Sequence, residues 1–593
     1  MMMNDTVFEE LLTRFKTERA PRADAFTSVA AFTANIIAEI RVERRKRGGK
    51  IRQYVAELGK NFLKEPPPSA SLGVLADCCA MPSASPSVSY SIPPKACLSA
   101  GARFRKKMSM DWGMIDDSAT AFDTEEYKTV GERPFVETAT NPRSTFGADV
   151  DTAMYANLRR MILEENRLPP ADAVRIEELL NYFGYDYPQP EGDAVLRPDF
   201  EMGASPWAPE RQLLLIGVQA KAPVREELPP SHYVFLIDNS GSMYGVFPMV
   251  KAAMTTLAKQ LRPVDRVSLV TYGGDVKVLL EGCADIDTVC RKIDRLDAEG
   301  CTPGGEGIQA AYRLAEEHFI EGGNNRIVLI TDGDFNVGVS SEAELVEMVK
   351  AKRDTGICLT VVGCGMGNYK DNKVKMLANK GNGNYFYIDG EREAKRVFVH
   401  GLTGNMYALA RDVKFQIEFN PEQVFAYRLI GYELRDMADR DFRDDRKESG
   451  TVGLGQQVTA LYELIPADAS DEVKNAAVPG TLPLKYVTAT TNGSDELLTF
   501  RIRWKKPQDN AAAREDCTSV KPPLSATENW SWAAAVAEFG LALRKSKFAP
   551  EATFDHAAKE AQQHLGEDKN GDRTEFLLLL KRAAELRRDR KKK

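Results

Sequence analysis

The sequence predicts an α/β protein in which a doubly wound, mainly parallel sheet is inserted in a β-sandwich, with helical parts at the N- and C-terminal ends. Three observations carry this expectation. Between Tyr233 and Leu402, short apolar strands alternate with amphipathic helices, the pattern of a parallel sheet covered on both faces. Two strand-like stretches precede that segment and five follow it, so the central domain interrupts a β-rich one. A chain of 593 residues also exceeds what one hydrophobic core supports.

In chain order, residues 1–64 predict a helical appendage, with Phe8, Leu11, Leu12 and Phe15 at helical spacing. Residues 65–123, rich in Pro, Ser and Ala, read as a linker. Residues 124–230 predict two helices separated by Leu168-Pro169-Pro170, with Asp172 as a cap, and then strands at Asp199–Met202 and Gln212–Gln219. The central domain spans 231–402. Residues 403–510 carry strands at Lys414–Phe419, Phe425–Tyr432, Gln457–Leu464, Lys485–Thr491 and Leu497–Trp504, which should pair with the two strands before the central domain. Residues 525–593 are helical, with Trp532, Val536, Phe539 and Leu543 on one face.

Composition narrows the function. A net charge of −7 gives no electrostatic footprint for nucleic acid, and the basic runs Arg41–Arg52 and Arg587–Lys593 read as solvated helix faces or tails. Nine cysteines without zinc spacing argue against a disulfide framework. No apolar run is long enough to span a membrane, and the first residues mix acids and bases where a secretory signal has a basic start and an apolar run. The chain as written therefore suits the cytoplasm; the cell envelope or periplasmic side is the alternative if the true start or an export signal is missing.

Polar residues gather at the carboxyl ends of the central strands, where doubly wound sheets bind ligands. The first strand runs into Asp238-Asn239-Ser240-Gly241-Ser242, a later loop carries Thr302, and the strand RIVLIT exits into Asp332-Gly333-Asp334. A carboxylate placed directly after five apolar residues needs a partner or a metal. Oxygen-only donors specify a hard divalent cation: Mg2+, with Mn2+ or Ca2+ possible. Ser240, Ser242 and Thr302 are expected as hydroxyl ligands, and Asp238 and Asp332 as carboxylates, direct or through water. So few protein ligands leave a coordination position for an Asp or Glu of a protein partner.

The DxSxS run, the distant Thr and the TDG aspartate together resemble the metal-ion-dependent adhesion site of the von Willebrand factor type A (VWA) family, whose fold is Rossmann-like. The stretches from Ser144 to Tyr185, from RIVLITDGDFNVGVS to ALYEL, and the closing AAAVAEFGLALRKSKF and RTEFLLLLKRA resemble a bacterial subfamily with a characteristic N-terminal segment and a C-terminal domain of unknown function. The oxygen-lined site with its open coordination position, and the absence from the sequence of a nucleophile, base or cofactor constellation, lead to the expectation of metal-dependent protein binding without catalysis. Two alternatives are a metal-dependent hydrolase using Asp334 as base, and a scaffold whose metal only ties the loops together. Gly363–Asn368 lacks the last glycine of a dinucleotide loop, and Asp568–Asp572 lacks the glutamate of a calcium loop and reads as a helix-initiating turn.

Overall fold

The computed structural model describes residues 131–593 except 274, 299–303, 333–341, 365–370, 481–492, 508–511 and 593. The expected helical appendage 1–64, the linker 65–123, the strand Lys485–Thr491, and Thr302 and Asp334 lie outside the described residues.

Among the described residues, seventeen strands run in chain order. They are β1 (Val136–Glu137), β2 (Arg143–Gly147), β3 (Leu196–Ser205), β4 (Ala208–Ala220), β5 (Ser231–Asp238), β6 (Arg266–Tyr272), β7 (Lys277–Cys283), β8 (Asn324–Thr331), β9 (Ile357–Gly363), β10 (Tyr385–Tyr387), β11 (Ala408–Phe419), β12 (Val424–Ile430), β13 (Asp436–Met437), β14 (Gly450–Gly453), β15 (Gln457–Pro466), β16 (Leu498–Lys505) and β17 (Arg514–Val520).

Two antiparallel sheets, β1-β12-β15-β4-β3 and β13-β2-β11-β16-β17, share one core that includes Phe146, Leu214, Ile216, Phe415, Tyr462 and Phe500. Both sheets mix strands from before and after the central domain, so the insertion in a sandwich is as expected. Alternation along β4 explains the layering: Leu214, Ile216 and Val218 face the sandwich core, while Leu213 and Leu215 face a second core built from helices. Those helices include α1 (Ala153–Arg159), which continues as a π-helical turn to Glu164, and α2 (Ile176–Leu180). They meet the three C-terminal helices described below.

The inserted sheet has the order β10-β9-β8-β5-β6-β7, parallel except for the edge strand β7. Its helices are α3 (Phe247–Ala258), α4 (Ile286–Asp294), α5 (Gly304–Glu317), α6 (Glu342–Asp354), α7 (Asp371–Lys380) and α8 (Glu391–Lys395). On β5, Tyr233, Phe235 and Ile237 pack towards α3, α4 and α8, while Val234 and Leu236 pack towards α5, α6 and α7. Both faces are covered, so every position of β5 is buried. The chain enters and leaves this domain at one place, where the hydroxyls of Ser231 and Tyr407 are 2.9 Å apart.

The C-terminal helices are α9 (Glu528–Arg544), α10 (Phe554–Gln563) and α11 (Asp572–Lys592). Several expectations need correction. The one-sided face expected around Trp532 is instead burial all round α9, because β4, α2, α10 and α11 surround it. Asp172 sits inside a 3-10 turn, and α2 begins after Arg175, so Asp172 caps no α-helix. Strands β1 and β2 precede the helices of the N-terminal segment, where only later strands were expected. Asp568 does initiate a helix: its carboxylate accepts from the amides of Arg573 and Thr574 at 3.1 and 2.8 Å.

Candidate metal centre

Strand β5 delivers Asp238 to the carboxyl edge of the inserted sheet, between β6 and β8. The chain winds from β5 to β6 on one side and to β8 on the other, so the topological switch point lies here. The Asp238 carboxylate is fully buried. The Ser240 amide donates to its Oδ1 at 2.9 Å, and the Thr331 hydroxyl donates to its Oδ2 at 3.3 Å. Beyond Ser240 the chain turns through Gly241–Gly245 into α3, which sets the Ser240 and Ser242 hydroxyls 3.0 Å apart. Ser240 is buried and Ser242 is exposed, so this hydroxyl pair leads from the interior to solvent. Asp332 follows the last residue of β8 and is buried.

Burial pushes the Asp238 carboxyl up to about 6; the bonds from Ser240 oppose this, and the charge of Asp332 adds to it. The thiol of Cys364, at the end of β9, is raised first by burial and then by Asp332 and Asp238, which places both carboxylates beside one point. No Lys or Arg among the described residues forms an ion pair with Asp238. The buried Asp238 carboxylate beside two hydroxyls, with Asp332 on the neighbouring strand end, forms a donor set suited to a hard divalent ion. The structure thus brings Asp238, Ser240 and Ser242 together and sets Asp332 on the neighbouring strand end.

Sequence reasoning missed Thr331 and Tyr272. Thr331, the residue before Asp332, orients Asp238; the Tyr272 phenol is raised by burial and by the Asp238 charge. Thr331 could have been found as the threonine of TDG, whereas Tyr272 becomes a neighbour only through the pairing of β5 with β6. A second acidic group, Asp149, Asp151 and Glu178, also lies within ligand reach of one ion. Lys375 fills it, with its ammonium 3.2 Å from both Asp149 and Asp151 and bonded to Glu178, so the cluster is a buried ion network.

Residues 233–399 match the von Willebrand factor type A domain, residues 121–215 match a segment described as von Willebrand factor, and residues 404–586 match the family described as the C-terminal part of the uncharacterized protein YfbK. Over 483 residues the chain is 38% identical to the uncharacterized protein YfbK of Escherichia coli (strain K12), covering 78% of this chain and 81% of that one. The chain belongs to the YfbK family. This family joins the VWA module, which typically mediates metal-dependent protein interactions, to the flanking segments described above. A shorter match, 26% identical over 184 residues, is to the human inter-alpha-trypsin inhibitor heavy chain H3, covering 29% of this chain and 21% of that one. Among solved structures, a von Willebrand factor type A protein from Catenulispora acidiphila is 14% identical with a TM-score of 0.36, covering 63% of this chain and 88% of that one. No helix among the described residues is long and apolar enough to cross a membrane.

Proposed function

We propose that the VWA domain recognises a protein partner through a divalent cation, with Mg2+ favoured and Mn2+ or Ca2+ as substitutes. Asp238, Ser240, Ser242 and Asp332 would hold the ion together with Thr302. The observation that supports this reading is Asp238: a fully buried carboxylate, raised to about 6 by burial, without an ion-pair partner among the described residues and beside two hydroxyls, one of them facing solvent. When bound, the ion supplies positive charge and a coordination position that a partner's Asp or Glu carboxylate fills. Thr331 and the Ser240 amide orient Asp238, and the surrounding apolar strands keep its geometry rigid.

The proposed role is binding rather than catalysis. The buried His232 imidazole and the half-buried His318 imidazole pack against each other with ring centroids 5.6 Å apart, and His232 lies at the opposite end of β5 from Asp238. Replacing Asp238 by Ala should abolish partner capture while leaving the circular dichroism spectrum unchanged. A pull-down comparing the wild type in Mg2+, the wild type in EDTA and Asp238→Ala in Mg2+ tests this. A protein captured only in the first sample supports the reading; identical capture in all three overturns it.

A further inference from the structure

Beyond the metal centre, a groove of about 560 Å³ opens at the ends of α9 and α11. Its floor is apolar, formed in part by Leu168, Leu541 and Ala552, and its rim carries Lys545, Lys547, Arg587 and Arg590. Among the described residues no carboxylate lines it. Two other arginines of these helices are ion-paired, Arg544 with Glu433 and Arg582 with Glu585, and Arg573 donates to the Leu565 and Gly184 carbonyls. The four rim cations make no ion pair with any described residue. Arg587 is held in place by stacking 4.3 Å over the Phe554 ring and by donating to the Ala542 carbonyl at 2.5 Å; burial lowers its pKa, with no acid nearby to offset the cost.

Four like charges around an apolar hollow repel one another, and an anion that also covers the floor relieves both costs. Concavity disfavours a flat bilayer. Among the described residues that line it there is no aromatic ring on which a nucleic-acid base could stack. The volume falls within the ordinary range of ligand pockets, about 300–1,000 Å³, and accepts side chains of an extended segment. We propose that this groove is a second protein-binding site, which takes an acidic peptide segment whose apolar side chains fill the floor while its carboxylates meet the four cations. It needs no metal and is independent of the metal-centre reading.

The experiment uses the full chain and fluorescence anisotropy with two labelled peptides of equal charge, one alternating Glu and Leu and one alternating Glu and Ser, alongside phosphatidylglycerol vesicles. The Glu-Leu peptide should bind at least about tenfold tighter than the Glu-Ser peptide, and salt should weaken it. Exchanging the exposed Lys547→Glu and Arg590→Glu together should weaken it at least about tenfold, with Lys547→Gln and Arg590→Gln intermediate. EDTA and Asp238→Ala should leave it unchanged. Equal binding of the two peptides, unchanged binding by the charge-reversed chain, or binding of vesicles but not of peptide would each overturn the proposal.

Discussion

His232 and Asp238 stand at the two ends of β5, and burial moves them in opposite senses. Burial, helped by His318, lowers the His232 imidazole from 6.5 to about 4, so the folded protein keeps it neutral. Between those values the unfolded chain takes up a proton that the folded one refuses, and stability falls as pH drops through that window. The full effect is about 3 kcal/mol. Asp238 runs the other way: its raised carboxyl lowers stability as pH climbs from the usual carboxylate range through about 6, by an amount that a bound cation would remove. Urea melts of the wild type and of His232→Asn across the acid range isolate the first effect. The variant should show a shallower loss of stability on acidification, and identical acid slopes would refute the assignment.

At the scale of elements, Gly217 shows how β4 serves two layers. A Cβ there would fall inside the ring of Tyr187, whose hydroxyl lies 3.0 Å from that of Thr459 on the neighbouring β15 and whose ring stacks on Tyr185. Gly217→Ala should therefore displace the ring and cost about 1–3 kcal/mol in thermal unfolding. Gly184→Ala, where nothing lies within 4 Å, should stay within about 0.5 kcal/mol of the wild type. The long strands β4, β5 and β15 were legible because apolar runs and alternation extend over many residues. The edge strand β17, REDCTSV, was not: among the described strands it pairs with β16 alone and it stays largely exposed, so no apolar pattern marks it. Two-residue strands such as β1 and β13 carry no periodicity at all.

Across the whole molecule, two buried charge networks lock the inserted domain into its surroundings. Lys375 on α7 reaches Asp149 and Asp151 ahead of α1 and Glu178 on α2, and Arg435 joins Asp149 from beyond β12. Burial penalises the Lys375 ammonium, but Asp149, Glu178 and Asp151 outweigh it and hold its pKa well above the ordinary lysine value. Arg159 on α1 pairs with Asp389 and Glu393 of the inserted domain and with Glu575 on α11, so one guanidinium ties three parts together. Lys375→Met leaves three buried carboxylates short of a cation and should cost about 3–5 kcal/mol in denaturant unfolding. A loss below about 1 kcal/mol would mean that the network contributes little to docking.

By itself the sequence determined the alternation of apolar strands and helices, the insertion of one domain in another, and the placing of Asp238, Ser240, Ser242 and Asp332 at strand ends. These are local: a strand's burial is written in its own residues, and a strand-end turn places three donors within five positions. Tertiary structure alone decided which charges meet. The Arg159 contact with Glu575 spans 416 residues, and the orientation of Asp238 by Thr331 spans 93. The rim of Lys545, Lys547, Arg587 and Arg590, which forms no ion pair among the described residues, emerges only when the ends of two helices converge. An ion pair depends on geometry accurate to an ångström between distant segments, and no periodicity along the chain encodes that.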